Sequence, residues 1–174
     1  IELHKWKFDA QWFIGFPQKA KRQLVIAPAF RFGAVGIYDQ GVGYSPFEQF
    51  RVGGSGLSGF VLYGTDIVAQ RGYDEGRISD PFRGTDVKPI YTKYTLELRY
   101  PLTVGQSSTI YAHGFLEAGN AYTNFDDFNP FDVKRAGGVG VRLFLPMFGL
   151  LGLDYAWPFD GGQPQFHFLI GQQF

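Results

Sequence analysis

Residues 93–100 read Lys-Tyr-Thr-Leu-Glu-Leu-Arg-Tyr, and their alternation decides the fold class. Tyr94, Leu96, Leu98 and Tyr100 fall on one side of an extended chain, and Lys93, Thr95, Glu97 and Arg99 on the other. Successive side chains of a strand point to opposite faces, so a period of two predicts a β-strand whose faces meet unlike solvents.

The same pattern recurs in both directions. Near the start, Trp6, Phe8, Ala10, Trp12 and Ile14 oppose Lys5, Lys7, Asp9 and Gln11. A second strand is expected from about Leu24 to Tyr38; Pro28 inside it has no N–H to donate, which predicts a bulge or a local gap in pairing. Downstream, Ile110, Ala112, Gly114 and Leu116 oppose Tyr111, His113, Phe115 and Glu117; Val139, Val141 and Leu143 oppose Gly138, Gly140 and Arg142. Leu151, Leu153, Tyr155 and Trp157 then oppose Gly152, Asp154 and Ala156, and Phe166, Phe168, Ile170 and Phe174 share one side of the last segment. This gives roughly seven strands, longer than the usual globular strand of about 5 to 6 residues.

Connections alternate too. Segments 17–22, 102–107 and 146–148 are short, 39–92 and 123–134 are long, and 159–164 is intermediate. Long strands, alternating short turns and long loops, and aromatics near strand ends predict an all-β, antiparallel transmembrane β-barrel. The rival is a soluble antiparallel sandwich, whose strands also alternate. Strand length, the charged series from Lys5 to Asp154 suited to a wet lumen, and an aromatic closing the last strand weigh against it.

Composition narrows the function. The chain has 174 residues, no cysteine, and 16 basic against 16 acidic side chains. Without a net positive charge or a basic run it carries no electrostatic footprint for nucleic acid. The absence of cysteine removes disulfides and thiolate metal sites. Residues 143–153 are too short for a membrane helix and contain Pro146 and Gly149. If Phe174 marks the periplasmic end, loops 39–92, 123–134 and 159–164 face outward and the short turns face the periplasm. A seven-stranded sheet leaves two open edges, which lipid does not tolerate, so the chain is expected to be the C-terminal part of a larger barrel or to close with another segment.

Several motifs carry a family resemblance. The long loop holds Phe47-Glu48-x-Phe50-x-x-Gly53-Gly54 and then Gln70-Arg71-Gly72-Tyr73, and Phe115 and Glu117 lie downstream in FLEAGNAY. These resemble the sixth extracellular loop and partner strand of the BamA family of outer-membrane insertases. In that family a [Val/Ile]-Arg-Gly-[Phe/Tyr] tip folds into the lumen and its arginine pairs with an inward acid. Gln70 replaces the branched apolar residue, and Glu117 the more usual Asp. LDYAWPF and QFHFLIGQQF resemble the family's last two strands, the latter with the signal Phe166, Phe168, Ile170, Gly171 and Phe174. The similarity spans essentially the whole chain, in a spacing style nearest to Bacteroidetes-like bacteria.

The resemblance implies a barrel of about 16 strands in the bacterial outer membrane, with the 39–92 loop folded into the lumen. It implies folding and insertion of other β-barrel proteins without ATP, with the bilayer, client barrels and accessory assembly lipoproteins as partners. A secretion pore of the same superfamily and a plain porin are the alternatives.

The physics of such a loop stands apart from the resemblance. An arginine near a low-dielectric wall needs a partner, because removing one member of a buried pair costs about 3–5 kcal/mol. A guanidinium can engage a carboxylate through two N–H groups and stack on an aromatic face, here Phe115 or Tyr73. Gly72 allows a tight turn. Arg83-Gly84 is an internal competitor, and Arg71 is preferred because it follows Ile67-Val68-Ala69 and precedes an aromatic.

Other signals are weak. Gly54-Ser55-Gly56-Leu57-Ser58-Gly59 matches a dinucleotide fingerprint literally but lacks the preceding parallel strand and following helix. His4, His113 and His167 have no metal-ligand spacing, and His113 is expected to face the lumen. Asp126, Asp127 and Asp132 lack the calcium-loop spacing. No Ser/His/Asp or Cys/His constellation is set up. The expectation is a non-enzymatic protein with no cofactor and no metal.

Overall fold

The computed structural model describes residues 2–17, 22–39, 41, 43–56, 65–83, 87–105, 108–146 and 149–171. In chain order the strands are β1 (Leu3–Gln11), β2 (Ile14–Phe16), β3 (Leu24–Ile37), β4 (Phe50–Val52), β5 (Asp66–Val68), β6 (Ile90–Val104), β7 (Thr109–Tyr122), β8 (Lys134–Leu145), β9 (Gly149–Pro158) and β10 (Gln165–Ile170). An antiparallel sheet runs in the order β1-β3-β6-β7-β8-β9-β10, with β2 also on β3. Among the described residues this sheet is open, with β1 and β10 at its edges.

Eight strands therefore stand where the sequence predicts seven, because the first predicted strand is broken at Trp12 and Phe13. Pro28 is the cause. The Trp12 N–H donates to the Pro28 carbonyl at 3.0 Å, but proline has no N–H to return. On its other side β3 keeps unbroken register with β6 from Val25↔Arg99 to Ala34↔Ile90, since Pro28 pairs there with Leu96. The irregularity on the β6–β7 ladder falls between Pro101 and Thr103.

The described parts of the long 39–92 segment are more ordered than the sequence suggests. Residues 46–48 form a short 3-10 turn, and β4 and β5 pair in parallel. Val52, Gly53 and Gln70 donate backbone hydrogen bonds to Ser79, Val68 and Gly54 at 2.8, 3.0 and 3.0 Å. These satisfy loop backbone groups away from water, as burial demands. Phe50, Val52, Val68, Tyr73 and Ile78 make an apolar core with Val35, Tyr91, Ala121 and Ala136 of the sheet. Phe50 meets Tyr91 at 4.6 Å between ring centroids.

The loop thus packs on the charged face, while the other face carries exposed Trp6, Phe8, Leu96, Leu98, Leu116, Val139, Val141, Phe166 and Phe168. No helix of the described residues is long and apolar enough to cross a membrane. Phe174 lies outside the described residues.

Leu116, 52% exposed in the middle of β7, tests which solvent the greasy face meets. Leu116→Arg is expected to lower folding stability in phospholipid vesicles by about 2–4 kcal/mol, the cost of a cation at the bilayer midplane, as read from urea titration. An unchanged midpoint would mean that this face meets water.

Candidate functional site

Two features of the inner wall make room for the loop tip. Facing positions on neighbouring strands align in rows, and one row reads His113, Gly140, Asp154 and His167 across β7 to β10. The next reads Glu97, Phe115, Gly138, Ala156 and Gln165 across β6 to β10. Large charged or aromatic side chains from β6 and β7 therefore lie over small residues of β8. A Cβ on Gly138 would meet Phe115 Cε1 at 2.8 Å, and one on Gly140 would meet His113 Cε1 at 2.8 Å. Glycine there is a packing requirement.

Into this space the loop places Arg71, 2% exposed. Its backbone N–H donates to Glu117 Oε2 at 2.8 Å, and Nε and Nη2 donate to Glu117 Oε1 at 3.0 and 2.7 Å. Nη2 also reaches Glu97 Oε1 at 2.8 Å, and Nη1 reaches Asp154 Oδ2 at 2.9 Å. The guanidinium carbon sits 3.5 Å from the centroid of the Phe115 ring. Burial alone would depress the Arg71 pKa, but the charges of Glu117, Glu97 and Asp154 outweigh it and raise the pKa above the usual guanidinium value. Arg71 is a fixed cation.

The surrounding charges nearly balance. Lys93 reaches Glu117 at 3.1 Å, Arg99 reaches Glu97 at 2.7 Å, and Arg142 engages Asp154 through two nitrogens. His113 Nε2 lies 3.2 Å from Asp154 Oδ1. Four cations (Arg71, Lys93, Arg99, Arg142) thus face three carboxylates in one network, which is the condition under which buried charge is tolerated.

Each residue from 69 to 73 has its own attachment to the wall. Lys93 donates to the Ala69 carbonyl, Gln70 Nε2 to the Lys134 carbonyl at 2.7 Å, and Tyr73 Oη to the Arg135 carbonyl at 2.9 Å. The Gly72 N–H donates to His167 Nε2 at 2.9 Å. Gly72 has φ +88, and a Cβ there would sit 2.8 Å from Ala136 Cβ. Burial and the charge of Asp160 push the Tyr73 hydroxyl up to about 12.

Compared with models of known families, the chain matches the Omp85 superfamily domain over residues 1–174. The chain belongs to the Omp85 superfamily. Comparison with curated proteins gave no match. Omp85 proteins are outer-membrane barrels with roles in protein assembly or transport and no enzymatic chemistry, and their setting supplies a membrane and client proteins.

The structure of this Omp85 domain brings Arg71, Phe115 and Glu117 together; Arg83, 80% exposed, lies 3.8 Å from Asp80. Phe115 is the ring beneath the guanidinium, while Tyr73 turns to Arg135. The upstream element is divided: Phe50 is buried, Phe47 is exposed against Phe82 at 5.8 Å, and Glu48 pairs with Lys5 at 3.2 Å. Gly53 and Gly54 have φ +130 and +77, and a Cβ on Gly53 would meet the Asp74 carbonyl at 2.6 Å, so both serve the loop's fold onto itself. Phe166, Phe168 and Ile170 point outward, and the Gly171 N–H bonds to the Leu150 carbonyl at 2.7 Å.

Glu97, Asp154 and His167 are the partners that sequence reasoning missed. Parity put Glu97 and Asp154 on the charged side and left His167 unassigned, but only strand register shows that Glu97 and Asp154 converge on Arg71 and His167 on the adjacent Gly72.

Arg71→Ala is expected to destabilise the protein by about 3–5 kcal/mol, because three carboxylates lose a shared cation. Arg83→Ala should stay within about 0.5 kcal/mol of wild type. Equilibrium unfolding of both variants checks this, and a cycle with Glu117→Gln should show a coupling of at least about 0.5 kcal/mol. Gly138→Val should cost about 1–3 kcal/mol by displacing Phe115; the same titration reads it.

Proposed function

We propose that this chain is the C-terminal part of a BamA-type insertase barrel of about 16 strands, which folds client β-barrel proteins and inserts them into a bacterial outer membrane. The observation that carries this reading is the combination of a loop tied to the charged face of the sheet at every tip residue with a terminal strand whose outer edge is unpaired among the described residues. In the closed barrel such a loop would occupy part of the lumen, which turns activity away from the pore and toward the wall. An open strand edge presents backbone donors and acceptors on which a client strand can pair.

In this account β10 is one side of a seam, and the barrel's own first strand, outside this chain, is the other. The outward rings of Tyr155 and Phe166, 4.7 Å apart, and of Trp157 give the seam an aromatic outer surface against lipid. Arg71 and Glu117 act by fixing the loop, and no residue performs bond chemistry. Accessory lipoproteins and a Bacteroidetes-like origin belong to the same proposal.

A second reading has one observation in its favour. A cavity of about 650 Å³ lies on the inner face beside Glu97, Arg99, Tyr111 and Arg142, as a secretion pore would need on its entry side.

Reconstitution of the intact barrel protein into liposomes separates the two. An insertase raises the folding rate of several unrelated, urea-denatured client barrels at least severalfold over empty liposomes, with little single-channel conductance. Acceleration confined to one cognate passenger, together with open-channel currents, would favour the secretion pore.

A further inference from the structure

The terminal strand is short of partners. β10 has six residues and bonds within the sheet only to β9 among the described residues. An edge held on one side is the sheet element most easily displaced. Its inward residues compensate by reaching the lumenal loop.

His167, 5% exposed, accepts the Gly72 N–H at Nε2, at 2.9 Å. Two residues earlier, Gln165 Nε2 donates to Asp74 Oδ1 at 2.7 Å. Both bonds leave the sheet toward the lumen, so they restrain β10 in a direction that its ladder with β9 does not. A backbone amide only donates, so His167 must present a lone pair at Nε2, which the doubly protonated ring lacks. Closeness is also built in: a Cβ on Gly72 would lie 3.3 Å from both the Trp157 carbonyl carbon and the Pro158 nitrogen of β9.

From these contacts we propose that His167 is a positioning residue by which the lumenal loop holds the terminal strand in place for client pairing. Its functional half rests on the insertase reading. Gly72 follows Arg71, whose side chain is anchored on β6, β7 and β9 through Glu97, Glu117 and Asp154. The imidazole therefore joins the edge strand to the middle of the sheet through two adjacent loop residues, Gly72 and Arg71. Withdrawal of the loop from the lumen would release β10 at the same time, and a loop seated in the lumen sets the edge on which a client pairs.

Hydrogen–deuterium exchange on the intact protein in lipid nanodiscs tests this with His167→Leu, His167→Gln and Gln165→Leu. His167→Leu fills the space without an acceptor. It should speed exchange of the Gly72 amide and of residues 165–171 about tenfold, the factor that corresponds to roughly one hydrogen bond, while β6 and β7 keep their protection. His167→Gln restores an acceptor oxygen at similar reach and should exchange like wild type. Unchanged rates at 165–171 in His167→Leu, or equal rates in the Leu and Gln variants, would overturn the proposal.

If His167→Leu does not fold, Gln165→Leu carries the test, with severalfold faster exchange at 165–171 expected and no change overturning it. Client folding in liposomes should slow severalfold in His167→Leu and recover in His167→Gln. A loosened β10 with unchanged client folding would keep the restraint and remove the templating reading instead.

Discussion

A guanidinium removed from water and held among three carboxylates is the interaction on which this structure depends. Desolvating one such ion costs several kcal/mol even after relaxation, and a single exposed ion pair returns about 0–1 kcal/mol. Arg71 is retained against the charged face of the sheet because Glu117, Glu97 and Asp154 bind it at 2.7 to 2.9 Å and Phe115 covers one face of its plane. In return it joins the three carboxylates into one network. Lys93, Arg99 and Arg142 each pair with one of them, and among the described residues Arg71 alone touches all three.

Much of the surrounding architecture accommodates that cluster. Gly138 and Gly140 thin the wall of β8 where Phe115 and His113 cross it, and Gly72 lets the loop backbone lie against Ala136. The loop brings its own apolar core around Phe50, Val52, Val68 and Ile78, so burial of that surface contributes alongside the ion pairs. Through Gly72 and His167 the same attachment reaches the edge strand, which links the loop tip to the proposed working edge of the barrel.

Legibility in the sequence followed the range of each signal. Which face a side chain joins is a local property, so the alternation at 93–100 and 109–117 put Glu97, Phe115 and Glu117 on the charged side of their strands, and all three are buried under the loop. Which residues of that face meet depends on register across five strands, and nothing local encodes it; Asp154 was visible on the charged side but not as a partner, and His167 was not assigned a face. The break at Trp12 was half legible, since Pro28 announced a gap in pairing but not that the gap would split the neighbouring strand. The parallel pairing of β4 with β5 joins three-residue segments with no alternation to read, and it forms only because the loop folds on itself inside the sheet.

The most direct measurement of the central claim is the nitrogen-to-carbon dipolar coupling between the Arg71 guanidinium and the Glu117 carboxyl carbon, by solid-state NMR of the intact protein in lipid bilayers. A strong coupling, with guanidinium protons that resist exchange with water, is the predicted result. Absent coupling with freely exchanging protons would place the loop tip in solvent and contradict the account.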